Sequence, residues 1–189
     1  MTLQYEMQFP FITQKEILHW EARYLKNQSE KRRDQEQAVI DLKEKVEIRQ
    51  TPETPEGYLS QPELRQMGKW KDRFVPSKID QNPPGLIERI TGEAFRLDDD
   101  WEKIKKLKEI YGVAESVASV ILHLYDSKKY PILDVHALRT IGIDNKKVNY
   151  DELFWRKYVN LCRAKAERYD VSMRALDRAL YIRSVTMSS

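Results

Sequence analysis

Residues 107–142 read LKEIYGVAESVASVILHLYDSKKYPILDVHALRTIG, a pattern that predicts two helices joined by a tight turn, then an extended link and a third helix. Apolar residues at i, i+3, i+4 and i+7 from Val117 indicate one buried helix face. Gly112, just ahead of that helix, suits a left-handed turn that most residues avoid. Helical backbone is disfavoured before Pro131, which makes the surrounding segment a link. Asp134 then stands where a helix N-cap belongs.

The same stretch resembles the helix–hairpin–helix DNA glycosylases, the superfamily that includes endonuclease III. Their motif has an apolar helix end, Gly-Val-Gly, a short polar pair and a helix of small residues. The apolar helix end is expected at Ile110–Tyr111, and residues 112–118, GVAESVA, follow the rest of that layout. Asp134 comes eighteen residues after Ser116, where the family places its catalytic aspartate at a helix start.

The resemblance covers residues 101–142 well and residues 143–183 more loosely, and it is closest to small uncharacterised bacterial members of the superfamily. Ala114 replaces the second glycine of the motif, which a residue already in the helix tolerates. Ser116 occupies the position of the lysine used by members with lyase activity. Because a serine has no amine to form a Schiff base, the resemblance implies a glycosylase without lyase activity.

The resemblance implies that the hairpin binds a phosphate of the DNA backbone. A helix N-terminus presents unpaired backbone N–H groups and a partial positive charge, and such contacts fix register without reading sequence. The partner is therefore expected to be double-stranded DNA. The residues expected to contact it are Gly112, Val113, Ala114, Glu115, Ser116, Lys128 and Lys129.

Asp134 is the candidate catalytic residue under this resemblance. Cleavage of a base–sugar bond builds oxocarbenium character on the sugar, and a fixed carboxylate stabilises that charge. The nucleotide must first be flipped out of the stack. Aspartate is also a common structural N-cap, so a purely structural role stays open. Candidates to line a base pocket are Trp70, Tyr130 and His136.

The family also binds a monovalent cation through backbone carbonyls of the hairpin. By position, the carbonyls that would bind sodium or potassium here are those of Lys108, Ile110 and Val113. No other cofactor is expected. The single cysteine, Cys162, excludes the four-cysteine iron–sulfur loop that some glycosylases carry.

Composition predicts a folded chain, with 41% hydrophobic and 33% charged residues. No apolar run approaches the roughly 18 residues of a membrane helix, so no membrane partner is expected. Without a basic-then-apolar leader pattern at the N-terminus, the cytoplasm is the expected location. The net charge is only +3, but residues 153–189 hold eight Lys or Arg against three Asp or Glu, an excess that favours nucleic acid.

The absence of long alternating segments predicts an all-α fold. We expect a long N-terminal helical appendage over 1–50, a linker over 51–59 that contains TPETPEG, and a helix–hairpin–helix domain over 60–189. Helix N-caps are predicted at Thr13, Ser60, Asp134, Asp151 and Ser172, and the acidic run Asp98-Asp99-Asp100 is expected to cap the helix that follows it.

Three functions stay open at this point. The first is a monofunctional DNA N-glycosylase that removes a damaged or mismatched base. The second is a nucleic-acid-binding module without catalysis on the same fold. The third is a protein-interaction module, in which residues 13–50 dock on a protein partner or a second copy of the chain. This third function predicts an exposed apolar stripe along Ile17, Trp20, Tyr24 and Leu25.

Overall fold

The computed structural model describes residues 6–52 and 55–187, in which the backbone forms helices and no strand, as the all-α prediction requires. No helix in these two ranges is long and apolar enough to cross a membrane. The helices are α1 Gln14–Asn27, α2 Glu30–Ile40, α3 Leu42–Ile48, α4 Gln61–Lys71, α5 Val75–Ile79, α6 Leu86–Arg96, α7 Asp100–Leu107, α8 Glu115–Tyr125, α9 Val135–Thr140, α10 Glu152–Arg168 and α11 Met173–Met187.

Polar side chains cap the helix starts as the sequence predicts. The Thr13 hydroxyl accepts from the amide of Glu16 at 3.2 Å, and the Glu16 carboxylate accepts from the amide of Thr13 at 3.1 Å, which completes a capping box. The Asp99 carboxylate accepts from the amide of Trp101 at 2.8 Å. The predicted caps at Asp151 and Ser172 are confirmed in the same way.

Contacts within the chain define two units, which differ from the predicted division at 51–59. The terminal unit comprises Met1–Gln28 and Ser127–Ser189, and the central unit comprises Ser29–Asp126. In the terminal unit, α1 packs against α11 rather than extending as an appendage. In the central unit, α2 and α3 pack against α4 and α8, respectively. The helices expected to form one long N-terminal element therefore belong to two units.

The inner face of α1 lies against α11. Ile17 is fully buried and Tyr24 is 7% exposed, and the Tyr24 ring meets the Tyr181 ring edge-on at 5.7 Å between centroids. Glu21 and Arg178 form an ion pair at 2.9 Å beside these rings. The apolar stripe that a protein-interaction module would expose is thus buried at two of its four positions.

An ion pair joins the end of α3 to α4 in the central unit. Arg49 donates to both carboxylate oxygens of Glu63, at 2.6 and 2.8 Å, and the same carboxylate accepts from the amide of Ser60 at 2.9 Å. Burial tends to raise the pKa of Glu63, but the hydrogen bonds from Arg49 and Ser60 outweigh burial, and the pKa lies below its ordinary value. The arginine therefore fixes the start of α4.

Replacement of Glu63 by glutamine is expected to lower the free energy of unfolding at pH 7 by about 2 kcal/mol. The Arg49 guanidinium is only partly exposed, so water cannot fully replace the carboxylate that it loses. The depressed pKa means that this stability is present above the unfolded pKa of about 4.3 and is lost as pH falls through the folded pKa. Denaturant titrations from neutral to acid pH should show the difference between parent and variant shrinking below about pH 4. Glu47→Gln, at an exposed pair on α3, is the control.

Candidate functional site

The connection between α7 and α8 begins earlier than predicted and is therefore longer. The helix expected to reach Ile110–Tyr111 ends at Leu107, because the next amides bond three residues back. The amide of Ile110 donates to the carbonyl of Leu107 at 3.2 Å, and the amide of Val113 donates to the carbonyl of Ile110 at 3.0 Å. These successive bonds wind the chain into short turns that lead into α8.

Gly112 is required at this turn for two reasons. Its φ is 95°, in the left-handed region that the sequence predicts. A Cβ at this position would also lie 2.7 Å from the Cβ of Lys78 and 3.4 Å from the amide nitrogen of Ile79. Helix α5 therefore packs directly on the turn. Any side chain at residue 112 would strain the backbone and also clash with Lys78.

Asn82 holds the backbone of the turn, a role that sequence reasoning missed. Its side-chain oxygen accepts from the amide of Tyr111 at 2.9 Å, and its side-chain nitrogen donates to the carbonyl of Tyr111 at 3.0 Å. The same nitrogen donates to the carbonyl of Ile79 at 2.9 Å. Asn82 is 7% exposed, so these bonds join the end of α5 to the turn inside the protein. In the sequence, Asn82 reads only as part of a loop before two prolines.

The amides at the start of α8 differ from the predicted set. The sequence predicts Val113 among the phosphate-contacting residues, but its amide donates to the carbonyl of Ile110 within the turn and lies before the first turn of α8. Ala114 is the N-cap, with φ −97° and ψ 178°, and is extended rather than helical. Its negative φ explains why alanine fits where the family motif has glycine. The amides of Ala114, Glu115 and Ser116 belong to the first turn of α8 and therefore have no carbonyl partner within that helix, and the Glu115 carboxylate pairs with Lys108.

Asp134 caps α9 as predicted. Its carboxylate accepts from the amide of His136 at 2.9 Å, and its carbonyl accepts from the amide of Leu138 at 2.9 Å. The residue is half-buried. The carboxylate is thereby fixed in direction at the start of α9, which is the arrangement that either a structural cap or a catalytic anion needs.

Three side chains from α10 and α11 hold the extended link that precedes Asp134. The Tyr158 hydroxyl donates to the carbonyl of Ile132 at 2.9 Å, and the amide of Ile132 donates to the Asp177 carboxylate at 3.1 Å. Arg163 donates to the carbonyl of Lys129 at 2.7 Å. Because the link is in no sheet, these side chains satisfy backbone groups that burial would otherwise leave without partners.

Burial keeps the Tyr158 hydroxyl and the Cys162 thiol, which lie on α10, protonated. Desolvation is the main reason that the pKa of Tyr158 lies well above its ordinary value, and the nearby Cys162, Asp177 and Asp134 add to the effect. The pKa of the Cys162 thiol is raised in the same direction, again chiefly by burial. Tyr158 is therefore a phenol at neutral pH and a constant hydrogen-bond donor to Ile132.

Tyr158→Phe is expected to lower the free energy of unfolding by about 1–3 kcal/mol, because the buried carbonyl of Ile132 loses its donor. Urea titration followed by circular dichroism measures this change. Tyr111→Phe removes a hydroxyl from a side chain that is 55% exposed and should change stability by less than about 0.5 kcal/mol. Equal effects of the two substitutions would show that the Tyr158 hydroxyl does not hold the link.

The structure distributes the remaining predicted site residues between the two units. Trp70, in the central unit, is 5% exposed, with the Arg32 guanidinium 5.0 Å from its ring centroid. Tyr130 and His136 are in the terminal unit. Tyr130 is fully buried, with the Lys129 ammonium 5.2 Å and the Arg163 guanidinium 5.4 Å from its ring centroid, whereas the ring of half-buried His136 lies 5.0 Å from the Tyr181 ring. Their predicted role in a base pocket stays a prediction.

The expected cation site involves only backbone carbonyls. Of these, the carbonyl of Ile110 already accepts from the amide of Val113 at 3.0 Å and keeps one lone pair for a further partner. Across residues 6–52 and 55–187, no group of three or more His, Cys, Asp or Glu side chains is arranged to hold a metal ion. Binding of sodium or potassium at the turn stays a prediction.

Comparison with protein-family models, with curated proteins and with solved structures finds no significant match to this chain. The resemblance to the glycosylases therefore rests on the residues of the stretch 101–142 themselves. Within it, two local features have the predicted geometry: the left-handed Gly112 and the capping Asp134.

Proposed function

We propose that this chain binds DNA and removes a damaged or mismatched base from a flipped nucleotide, as a monofunctional N-glycosylase that uses Asp134. One combination of features carries the proposal. A left-handed Gly112 leads into α8, and Asp134 caps α9 eighteen residues after Ser116. This combination has the spacing of the motif that the sequence resembles, and the left-handed glycine and the capping aspartate support the proposal.

In this proposal, Asp134 supplies a fixed negative charge beneath the sugar. As the base departs with the electrons of the glycosidic bond, positive charge develops at the sugar carbon and its ring oxygen, and the carboxylate stabilises it. Water then adds to the sugar carbon and gives up a proton to the departed base anion, which leaves a neutral free base and an abasic site. Ser116 provides no amine, so the reaction ends there without cleavage of the DNA strand.

The distribution of charge supports a phosphate-binding surface on the terminal unit. This unit contains 16 Lys or Arg against ten Asp or Glu, which gives +6, whereas the central unit contains 17 against 20, which gives −3. Lys128, which is exposed, and Lys129 lie in the terminal unit with Asp134. Their positive charge favours the polyanionic backbone of DNA.

A binding module without catalysis is the second candidate, and one observation favours it. The Asp134 carboxylate accepts from the amide of His136, and this capping role alone would explain an aspartate at the position. Both candidates bind DNA, and only the first releases a base.

DNA binding is tested by fluorescence anisotropy of a labelled duplex at two salt concentrations. Because phosphate contacts release counterions, affinity should fall at least about tenfold between 50 and 200 mM salt. Lys128→Ser should weaken binding to all sequences alike and reduce the salt slope by about one. Lys147→Ser, at an exposed ion pair with Asp144, is the matched control. Absence of binding at the lower salt concentration would overturn both nucleic-acid functions.

A further inference from the structure

Two aromatic side chains of the central unit face solvent. Phe74 is 61% exposed and Tyr111 is 55% exposed, and no other Phe, Tyr or Trp among the described residues is classed as exposed. Nearby Trp70, in contrast, is buried at 5% exposure. An exposed aromatic ring loses the free energy of burial, so two of them at one place suggest a ligand that covers them.

Helix α5 connects the two exposed rings. Phe74 is its N-cap and precedes Lys78 by four residues, a spacing that places two side chains on one side of a helix. The Cβ of Lys78 lies against Gly112, the residue next to Tyr111. Asn82, just past the end of α5, bonds to both the amide and the carbonyl of Tyr111, which fixes this part of the turn.

Positive charge is in excess at this surface although the central unit is acidic. The Arg73 guanidinium lies 4.6 Å from the Phe74 ring centroid. Arg73 and Lys78 are exposed, and neither forms an ion pair within the described ranges. Two of the acidic groups around them are paired with other cations, Asp80 with Arg65 at 3.0 Å and Glu115 with Lys108. The Asp72 carboxylate accepts from the amide of Phe74 at 2.9 Å and keeps its charge, so the four cations exceed the three anions by one.

We propose that Arg73, Phe74, Lys78 and Tyr111 form an aromatic–basic surface that binds an unpaired nucleic-acid strand. Bases stack on the two rings, and phosphates contact the two cations. Every base has an aromatic face, so such a surface tolerates any sequence. In a duplex, the base faces are covered by neighbouring bases and cannot reach the rings. The proposal rests on the proposed function in one respect, namely that the ligand is nucleic acid.

This surface indicates which form of DNA the proposed enzyme would prefer. A protein that acts on a flipped nucleotide meets a local stretch of unpaired bases. A surface for such bases beside the α7–α8 turn would favour DNA that is already partly opened. The residues concerned are distinct from Asp134 and lie in the other unit, so the surface can be tested without reference to catalysis.

The test is anisotropy of a labelled oligothymidylate of about 16 nucleotides, a length within the range that such binding sites cover. Phe74→Ala and Tyr111→Ala should each weaken binding at least about fivefold, the lower limit for loss of one stacked base. The same two substitutions should weaken binding to duplex DNA of equal length by less than about twofold, since the bases of a duplex stay stacked on one another. Both positions are exposed, and circular dichroism verifies the fold of each variant.

Matched substitutions on α3 serve as controls. Ile48→Ala removes an apolar side chain that is 76% exposed, and Lys45→Ser removes an exposed cation for comparison with Lys78→Ser. Lys78→Ser should weaken binding to the strand, and both α3 variants should bind as the parent does. An oligouridylate of the same length shows whether the sugar matters, and binding of either strand through these residues supports the surface.

Three results would overturn the proposal. If the parent binds duplex but not the single strand, the surface is wrong while the proposed function stands. If the parent binds the strand and the alanine variants bind equally well, the strand is held elsewhere. A parent that binds neither nucleic acid at low salt loses both the surface and the proposed function.

Discussion

The Asp134→Asn variant is expected to unfold like the parent but to release base at least about 100-fold more slowly, the loss typical of one removed electrostatic group. Asparagine can accept the hydrogen bond from the amide of His136, which lies 2.9 Å from the carboxylate, and it caps helices about as well as aspartate. Stability should therefore change by less than about 1 kcal/mol. Thermal melts and single-turnover base release measure the two quantities.

Two further substitutions separate capping from catalysis. Asp134→Ala loses both the cap and the charge and should lower stability by about 0.5–2 kcal/mol. Asp151→Asn makes the same chemical change at the cap of α10, where the carboxylate accepts from the amide of Phe154 at 2.9 Å, and should leave base release unchanged. Undiminished release by Asp134→Asn would reduce Asp134 to a structural cap.

Gly112→Val is expected to produce the largest loss of stability, about 3–5 kcal/mol from backbone strain together with overpacking. Valine at φ 95° is strained, and its Cβ would lie 2.7 Å from the Cβ of Lys78. Duplex binding, measured below the melting temperature of the variant, should weaken because the start of α8 shifts. Urea titration measures the stability loss.

Gly85→Val is the matched control for this substitution. Gly85 also has a positive φ, 77°, but an added Cβ meets no atom within 4 Å. Gly85→Val should therefore lower the free energy of unfolding by the cost of backbone strain alone, about 1–3 kcal/mol. Equal losses of stability at residues 85 and 112 would mean that α5 moves to make room for the added side chain. The contact between Lys78 and residue 112 would then not require glycine.

Local rules explain what could be predicted from the sequence. Capping depends on residues two to four positions apart, and the capping roles of Thr13, Asp134 and Asp151 are confirmed. A left-handed turn depends mainly on one residue, and Gly112 has the expected φ. The all-α class follows from the same short-range periodicity.

Long-range contacts explain what could not be predicted. The bond between Asn82 and Tyr111 joins residues 29 positions apart, and no pattern in the sequence marks that pairing. The same holds for Tyr158 and Asp177, which reach the Ile132 backbone from two later helices. The burial of α1 against α11 likewise depends on a partner more than 150 residues away, as the ion pair of Glu21 with Arg178 shows.

Base release by the parent protein tests the central claim most directly. Duplexes that each carry one damaged or mismatched base are incubated with excess protein, and alkali then cleaves any abasic site formed. We predict alkali-dependent cleavage of at least one duplex and no cleavage before alkali, because Ser116 has no amine. Absence of abasic product from every duplex that the protein binds would contradict the glycosylase function and leave a binding module.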